Sequence, residues 1–172
     1  MKLEEAKRLA KKIAEDLGIN WVDQVNGTTA ACPNSMIIAG SMRRGKAEVG
    51  DIDVVVTAPL EVSDIEYLIK PKLIWSKGTK QIFFTLEDDV KVNIWLLDDD
   101  DSFGAMMLHT TGSQQHNIIL RKLAKKHGFK LNQYGLYEGV QRIAGRTEQE
   151  IYNHLPTLKW PDGKPWVNPE DR

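Results

Sequence analysis

The stretch GSMRRGKAEVGDID, Gly40 to Asp53, lies between the short apolar run Met36 to Ala39 and the β-branched run that completes DIDVVVT, Asp51 to Thr57. Both flanks read as strands, with Arg43 to Glu48 as a short helix or turn closed by Gly50. Side chains alternate along a strand, so Asp51 and Asp53 fall on one face. Two carboxylates side by side are costly without a cation, and hard carboxylate oxygens are what magnesium prefers. Gly40-Ser41 allows close backbone approach, so its amides and the Ser41 hydroxyl can meet phosphate oxygens, while Arg44 adds charge-assisted donors. Phosphoryl transfer needs a triphosphate held in line and divalent cations clamping its oxygens. An anion cradle followed by a metal platform supplies both, and this order and spacing outweigh the bland alternative of a charged turn leading into a half-exposed strand.

Working outward, Leu3, Ala6, Leu9, Ala10, Ile13 and Leu17 recur at helical spacing and Gly18 follows where a C-cap is expected. Ser63 reads as the cap of a helix running to Ile69, and Leu73 to Ser76, Gln81 to Leu86 and Val90 to Leu97 read as strands, the last two joined by a turn at Glu87-Asp88-Asp89. Ser102 to Leu108 and Gln114 to His127 read as helices, the second stopped by Gly128. Thr147 to Glu150 has the capping-box pattern for a last helix ending before Pro156, ahead of a tail containing Trp and Pro. A helical lobe is therefore expected after a sheet-based one. Asp98 to Asp101 reads as a solvated loop.

The 172 residues suffice for one domain or two small packed lobes. A formal net charge of −1 gives no global attraction for nucleic acid, so any such attraction must be local. Cys32 is the single cysteine, and the four histidines lack metal-ligand spacing, so neither a disulfide nor a zinc site is expected. No apolar stretch is long enough for a signal peptide or membrane span, which makes an intracellular protein without a membrane partner the expectation.

Here GSMRRGKAEVGDIDVVV resembles the signature of the DNA polymerase X family, the DNA polymerase beta-like enzymes. WSKGTK (Trp75 to Lys80), KVNIWLL (Lys91 to Leu97), HTTGSQQHNIILR (His109 to Arg121), KKHGFKLNQYGLY (Lys125 to Tyr137) and the closing TEQEIYNHL resemble later blocks in family order. The resemblance implies an α+β fold: a nucleotidyltransferase palm of mixed β-sheet with flanking helices, residues 1–105, then a small, mainly helical thumb, residues 106–172. No block matches the family's lyase domain, so similarity to the small viral members is the expectation. The resemblance implies transfer of a nucleotide from a dNTP to a primer 3′-OH in gap-filling or repair-type synthesis, with two magnesium ions, replaceable by manganese, by a monomer acting on primer-template or gapped DNA. Carried over by position, Gly40, Ser41, Arg44 and Gly50 hold the triphosphate, Asp51 and Asp53 bind both metals, and His109 and Asn117 contact the incoming nucleotide. Lys91 falls near the primer terminus and Arg121 reaches the template strand. Asn117 and Arg121 sit at i and i+4 of one helix, able to test base-pair shape, and Lys122, Lys125, Lys126 and Lys130 add a basic stretch.

Two positions depart from the family. Asn93 stands where the third metal carboxylate belongs; an amide offers one neutral oxygen and cannot act as a base, so nucleotide binding with slowed chemistry is expected. The asparagine is either an introduced Asp-to-Asn change or a natural loss. His109-Thr110 replaces an aromatic pair beneath the sugar, which relaxes the expected exclusion of ribonucleotides. Two other functions remain open: a nucleotidyltransferase acting on an RNA, a protein or a small molecule, and an inactive nucleotide- or DNA-binding module.

Overall fold

The computed structural model describes residues 1–23 and 32–155; the tail beyond Pro156 lies outside the described residues. A six-stranded mixed sheet is ordered β1 (Asn20–Val22), β2 (Ser35–Ile38), β3 (Ile52–Val56), β6 (Lys91–Leu96), β5 (Gln81–Thr85) and β4 (Leu73–Lys77). β1 and β2 run parallel, as do β3 and β6, and the remaining pairs are antiparallel. Alternation along β3 decides everything near it. Ile52, Val54 and Val56 enter a core shared with α1 (Leu3–Asp16) and α3 (Val62–Ile69). Val55 faces the other way, into a cluster with Ile37, Phe103, Met106 and Met107, so Asp53 shares that second face.

The helix covering the second face is α4 (Phe103–Thr111), and it is apolar nearly all round because it lies between two cores. Phe103, Met106 and Met107 meet the sheet, whereas Ala105 and Leu108 join Leu120, Ala124, Leu136, Ala144, Ile151 and Leu155 in the core of a second lobe. That lobe holds α5 (Gln114–Lys126), α6 (Glu148–His154) and the antiparallel sheet β7 (Phe129–Asn132), β8 (Gly135–Glu138) and β9 (Gln141–Ala144). Gly104 lets α4 pass close to the start of α6: a Cβ there would lie 2.1 Å from the Thr147 carbonyl carbon.

The expected α1, β2 to β6, α4, α5 and α6 form, and Thr147 caps α6 with the reciprocal Glu150 bonds. The structure corrects two readings and adds strands that were not foreseen to the first sheet and to the mainly helical second lobe. The helix after β2 is α2 (Gly40–Arg43), and the charged residues that follow form the turn, broken at Gly45 with φ +66°. Glu61, not Ser63, precedes α3; Asp64 Oδ2 accepts the Glu61 N–H at 2.7 Å, which leaves Ser63 inside the first turn. β1 was not expected, because three residues carry no usable alternation. The second lobe is not helical throughout: its four-residue strands are too short for a period to register, and they are set by turns. Asn132 Oδ1 accepts the N–H groups of Tyr134 at 2.8 Å and Gly135 at 3.2 Å, bending β7 into β8.

Candidate active site

Asp51 and Asp53 come to one floor because β3 begins between them, and the adjacent parallel strand β6 places Asn93 directly beside Asp53. Asn93 Nδ2 donates to Asp51 Oδ2 at 2.9 Å and to Asp53 Oδ1 at 2.9 Å. Its Oδ1 is buried without a hydrogen-bond partner among the described residues. Burial, then the neighbouring Asp51 charge, pushes the Asp53 carboxyl up to about 6 against the opposing pull of Asn93 and Arg44. The pair is thus poised for a cation. The two carboxylates supply hard oxygens that fit a divalent ion, and Asn93 turns its amide nitrogen to them. No third acidic, histidine or cysteine side chain joins them among the described residues.

Gly40 makes this floor reachable. Its φ is +55°, and a Cβ on it would lie 2.0 Å from Asp53 Oδ2 and 2.7 Å from Asp53 Cβ. Only glycine leaves room for the carboxylate against the chain. The next residue, Ser41, keeps a buried hydroxyl without a hydrogen-bond partner among the described residues. Arg44, one turn on, donates from Nη1 to the Thr111 carbonyl at the end of α4.

Opposite the floor stand α4 and α5. Together the elements enclose a cleft of about 430 Å³ lined by Gly40, Ser41, Arg44, Asp51, Asp53, His109, Thr110, Asn117 and Arg121, with Thr111, Gly112, Gln114 and Ile118. Asn117 Nδ2 donates to the His109 carbonyl at 2.7 Å. Arg121 Nη2 lies 2.9 Å from His109 Nδ1. A guanidinium can only donate, so Nδ1 must accept and the ring proton sits on Nε2. Burial first, and the Arg121 charge second, bring the His109 imidazole down to about 4, so the ring is neutral near pH 7.

Of the residues nominated from sequence, eight line this cleft and Asn93 anchors its floor. Gly50 and Lys91 do not line it: Gly50 is exposed beside Asp51, and Lys91 is exposed at the start of β6, two residues from Asn93. Thr111, Gly112, Gln114 and Ile118 were not foreseen individually. The block HTTGSQQ at the helix junction was the available signal, since Gly112, with φ +70°, lies close enough that a Cβ would sit 3.2 Å from Arg44 Nη1.

Beneath the cleft a buried ion pair ties the lobes together. Arg43 Nη1 donates to Glu148 Oε1 at 2.9 Å and to Thr111 Oγ1 at 2.6 Å, and Nη2 donates to Glu148 Oε2 at 2.8 Å; both side chains are 4% exposed. Pattern reading placed Arg43 in a short helix or turn, and nothing local reveals a partner 105 residues away.

Residues 106–172 match the family model described as DNA polymerase beta thumb. The DNA polymerase/3′-5′ exonuclease PolX of Bacillus subtilis is 32% identical over 142 residues, 78% of this chain and 23% of that protein. The repair DNA polymerase X of African swine fever virus (isolate Tick/South Africa/Pretoriuskop Pr4/1996) is 27% identical over 169 residues, 84% of this chain and 90% of the viral one. The chain therefore spans under a quarter of the bacterial relative and most of the viral relative. In fold it is similar to Leishmania infantum polymerase beta in a ternary P/T complex, with TM-score 0.73, 20% identity, and coverage of 100% of this chain and 76% of the other.

Proposed function

Because the chain is similar to DNA polymerase X proteins over most of its length and matches the DNA polymerase beta thumb model over residues 106–172, we propose that it binds a metal-chelated deoxynucleoside triphosphate in the cleft and transfers the nucleotide to a primer 3′-OH. The observation that carries this reading is the convergence, in one cleft, of the Gly40-Ser41 turn, Arg44 and the Asp51–Asp53 pair. Ser41 Oγ and Arg44 are the donors for phosphate oxygens. His109, Asn117 and Arg121 form the wall for sugar and base. Asp51, Asp53 and Asn93 would hold divalent metal, which when bound supplies charge stabilisation at the attacking and leaving oxygens.

The division into a palm, residues 1–105, and a thumb, residues 106–172, is supported by the reach of the thumb model and by the separate cores on either side of α4. Primer-template and gapped DNA are the proposed partners; the similar Leishmania infantum polymerase beta structures are a ternary P/T complex and a ternary gap complex. Lys91 and Gly50 retain their proposed places, at the primer end and beside the triphosphate, outside the cleft lining. Action as an intracellular monomer completes the reading. No helix among the described residues is long and apolar enough to cross a membrane.

Asn93 limits turnover. Its amide holds both carboxylates and has no basic lone pair with which to take the primer hydroxyl proton. Asn93→Asp should raise primer extension with magnesium or manganese by orders of magnitude, about 10²–10⁴-fold for a restored base. A variant that folds, binds dNTP and extends no faster removes Asn93 from the reaction. The same two hydrogen bonds favour a second reading, a binding module without catalysis, which tight binding of gapped DNA with no restored activity would select.

A further inference from the structure

Among the described residues, the sheet face that carries Asp53 and Asn93 is only partly covered. Over β2 and β3, α4 buries it through Ile37, Val55 and Met106. Over β6, β5 and β4 it presents a strip of rings. Register sets Phe83 beside Asn93 and Gln81 beside Trp95, so Phe83 and Trp95 share the Asn93 face. Trp75, at the bulge of edge strand β4, meets Phe83 with ring centroids 5.3 Å apart; Phe83 and Trp95 are 5.1 Å apart, and Trp95 stands edge-on to His109 at 5.3 Å. Trp75 is 49% exposed, and Phe83 and Trp95 are half-buried. The core of this region is made by residues of the opposite parity, Ile82, Phe84, Val92 and Ile94. Trp95 packs in part against the α4 cluster, but that cluster gives no reason for Phe83 and Trp75 to extend the ring surface outward, and exposed apolar surface that is contiguous with a cleft marks a binding site.

We propose that Trp75, Phe83 and Trp95 form a stacking platform for bases near the 3′ end of the acceptor strand. The inference rests on the polymerase reading of the cleft, which requires that end to reach Asp53 and Asn93. The strip is continuous with the cleft, since Trp95 abuts the cleft-lining His109. Strands lie about 4.8 Å apart, so Phe83 is one step and Trp75 two steps from Asn93, and a strand ending there passes over both within its last few nucleotides. Lys91, exposed two residues from Asn93, has no ion-pair partner among the described residues and offers a phosphate contact beside the rings. Lys77 and Lys80 are engaged by Glu66 and Asp98, which leaves the rings as the main source of attraction.

Nucleic acid fits better than a protein partner. Polar Gln81, Thr85 and Ser76 interleave with the rings, and adjacent rings are tilted by 48° and 61°, so the strip offers separate ring surfaces, not one flat apolar floor. Every base has a π-face, so such a platform tolerates any sequence.

The test compares a labelled oligothymidylate with an abasic strand of the same length by fluorescence anisotropy, using the full chain. The two probes share their phosphates and differ only in bases. The wild type should prefer the base-bearing strand, Trp75→Ala should reduce that preference about five- to a hundredfold, and Trp75→Phe should keep most of it. Equal binding of the two strands, or a preference untouched by both Trp75→Ala and Phe83→Ala, overturns the proposal. Binding of dNTP with magnesium, measured on the same proteins, separates this inference from the reading beneath it. If the triphosphate binds and the strand preference is absent, the platform alone falls. If the preference depends on Trp75 and no triphosphate binds, the polymerase reading falls, and with it the assignment of the base-binding rings to an acceptor 3′ end.

Discussion

Glu148→Ala should be among the most damaging single substitutions in this chain. Glu148 receives both guanidinium nitrogens of Arg43 at 2.9 and 2.8 Å, and each side chain is 4% exposed. Truncation leaves a guanidinium buried opposite an apolar methyl, with Thr111 Oγ1 as a remaining partner. Breaking such a buried pair from one side costs about 3–5 kcal/mol. Total stability for a chain of this size is about 5–15 kcal/mol, and each kcal/mol lowers Tm by about 2–4 °C, which gives a drop of roughly 6–20 °C. The penalty comes from the orphaned charge and not from the lost attraction, so Arg43→Met combined with Glu148→Leu should recover most of it. Denaturant unfolding of both single variants and the double variant gives the coupling directly. A loss below about 1 kcal/mol in Glu148→Ala, the level of an exposed pair, would refute the reasoning. Because Arg43 precedes the cleft-lining Arg44 and shares Thr111 with it, dNTP affinity should fall with stability in the single variants and return in the double.

Gly40→Ala places a methyl 2.0 Å from Asp53 Oδ2 at φ +55°. It should cost at least about 1–2 kcal/mol from the left-handed backbone alone, and it should abolish magnesium-dependent dNTP binding by calorimetry; a variant that binds normally would show that the carboxylate does not need this space. Two titrations oppose one another in acid. Asp53 rises from 3.8 to about 6 in the fold, so its contribution is complete below pH 3.8 and is lost as pH rises through 6, at most about 3 kcal/mol. His109 falls from 6.5 to about 4, so its contribution is present above 6.5 and lost as pH falls through 4. The metal-free chain should therefore show little net slope from these two groups between pH 4 and 6. Asp53→Asn should become less stable on acidification across that window and His109→Gln more stable, by denaturant melts in chelator; identical profiles in all three proteins would contradict the burial of both groups.

The cleft was legible where chemistry and spacing are local. Gly40, Ser41, Arg44, Asp51 and Asp53 occupy a run of fourteen residues, and strand parity sufficed to set the two carboxylates on one face. Asn93 was reachable through family order, since its strand is separated from β3 by two other strands and a helix. The second sheet escaped because strands of four residues carry no measurable period and depend on the Asn132 turn. The aromatic strip escaped for a different reason: Trp75, Phe83 and Trp95 belong to three strands, and only the register and the β4 bulge bring them into contact.

The sequence by itself determined the strand-turn-strand unit, the glycine that opens it, the carboxylate pair and the family resemblance, because each of these is written in neighbouring residues whose backbone preferences and charges act over short range. The tertiary structure alone decided what those residues meet. It set the Asn93 amide between both carboxylates, joined Arg43 to Glu148 across the lobes, half-buried His109 beside Arg121 so that its ring stays neutral, and, among the described residues, left one half of the sheet face open. Each of these depends on desolvation and on contacts between residues far apart in the chain, and both quantities come into being only when the two cores close on α4.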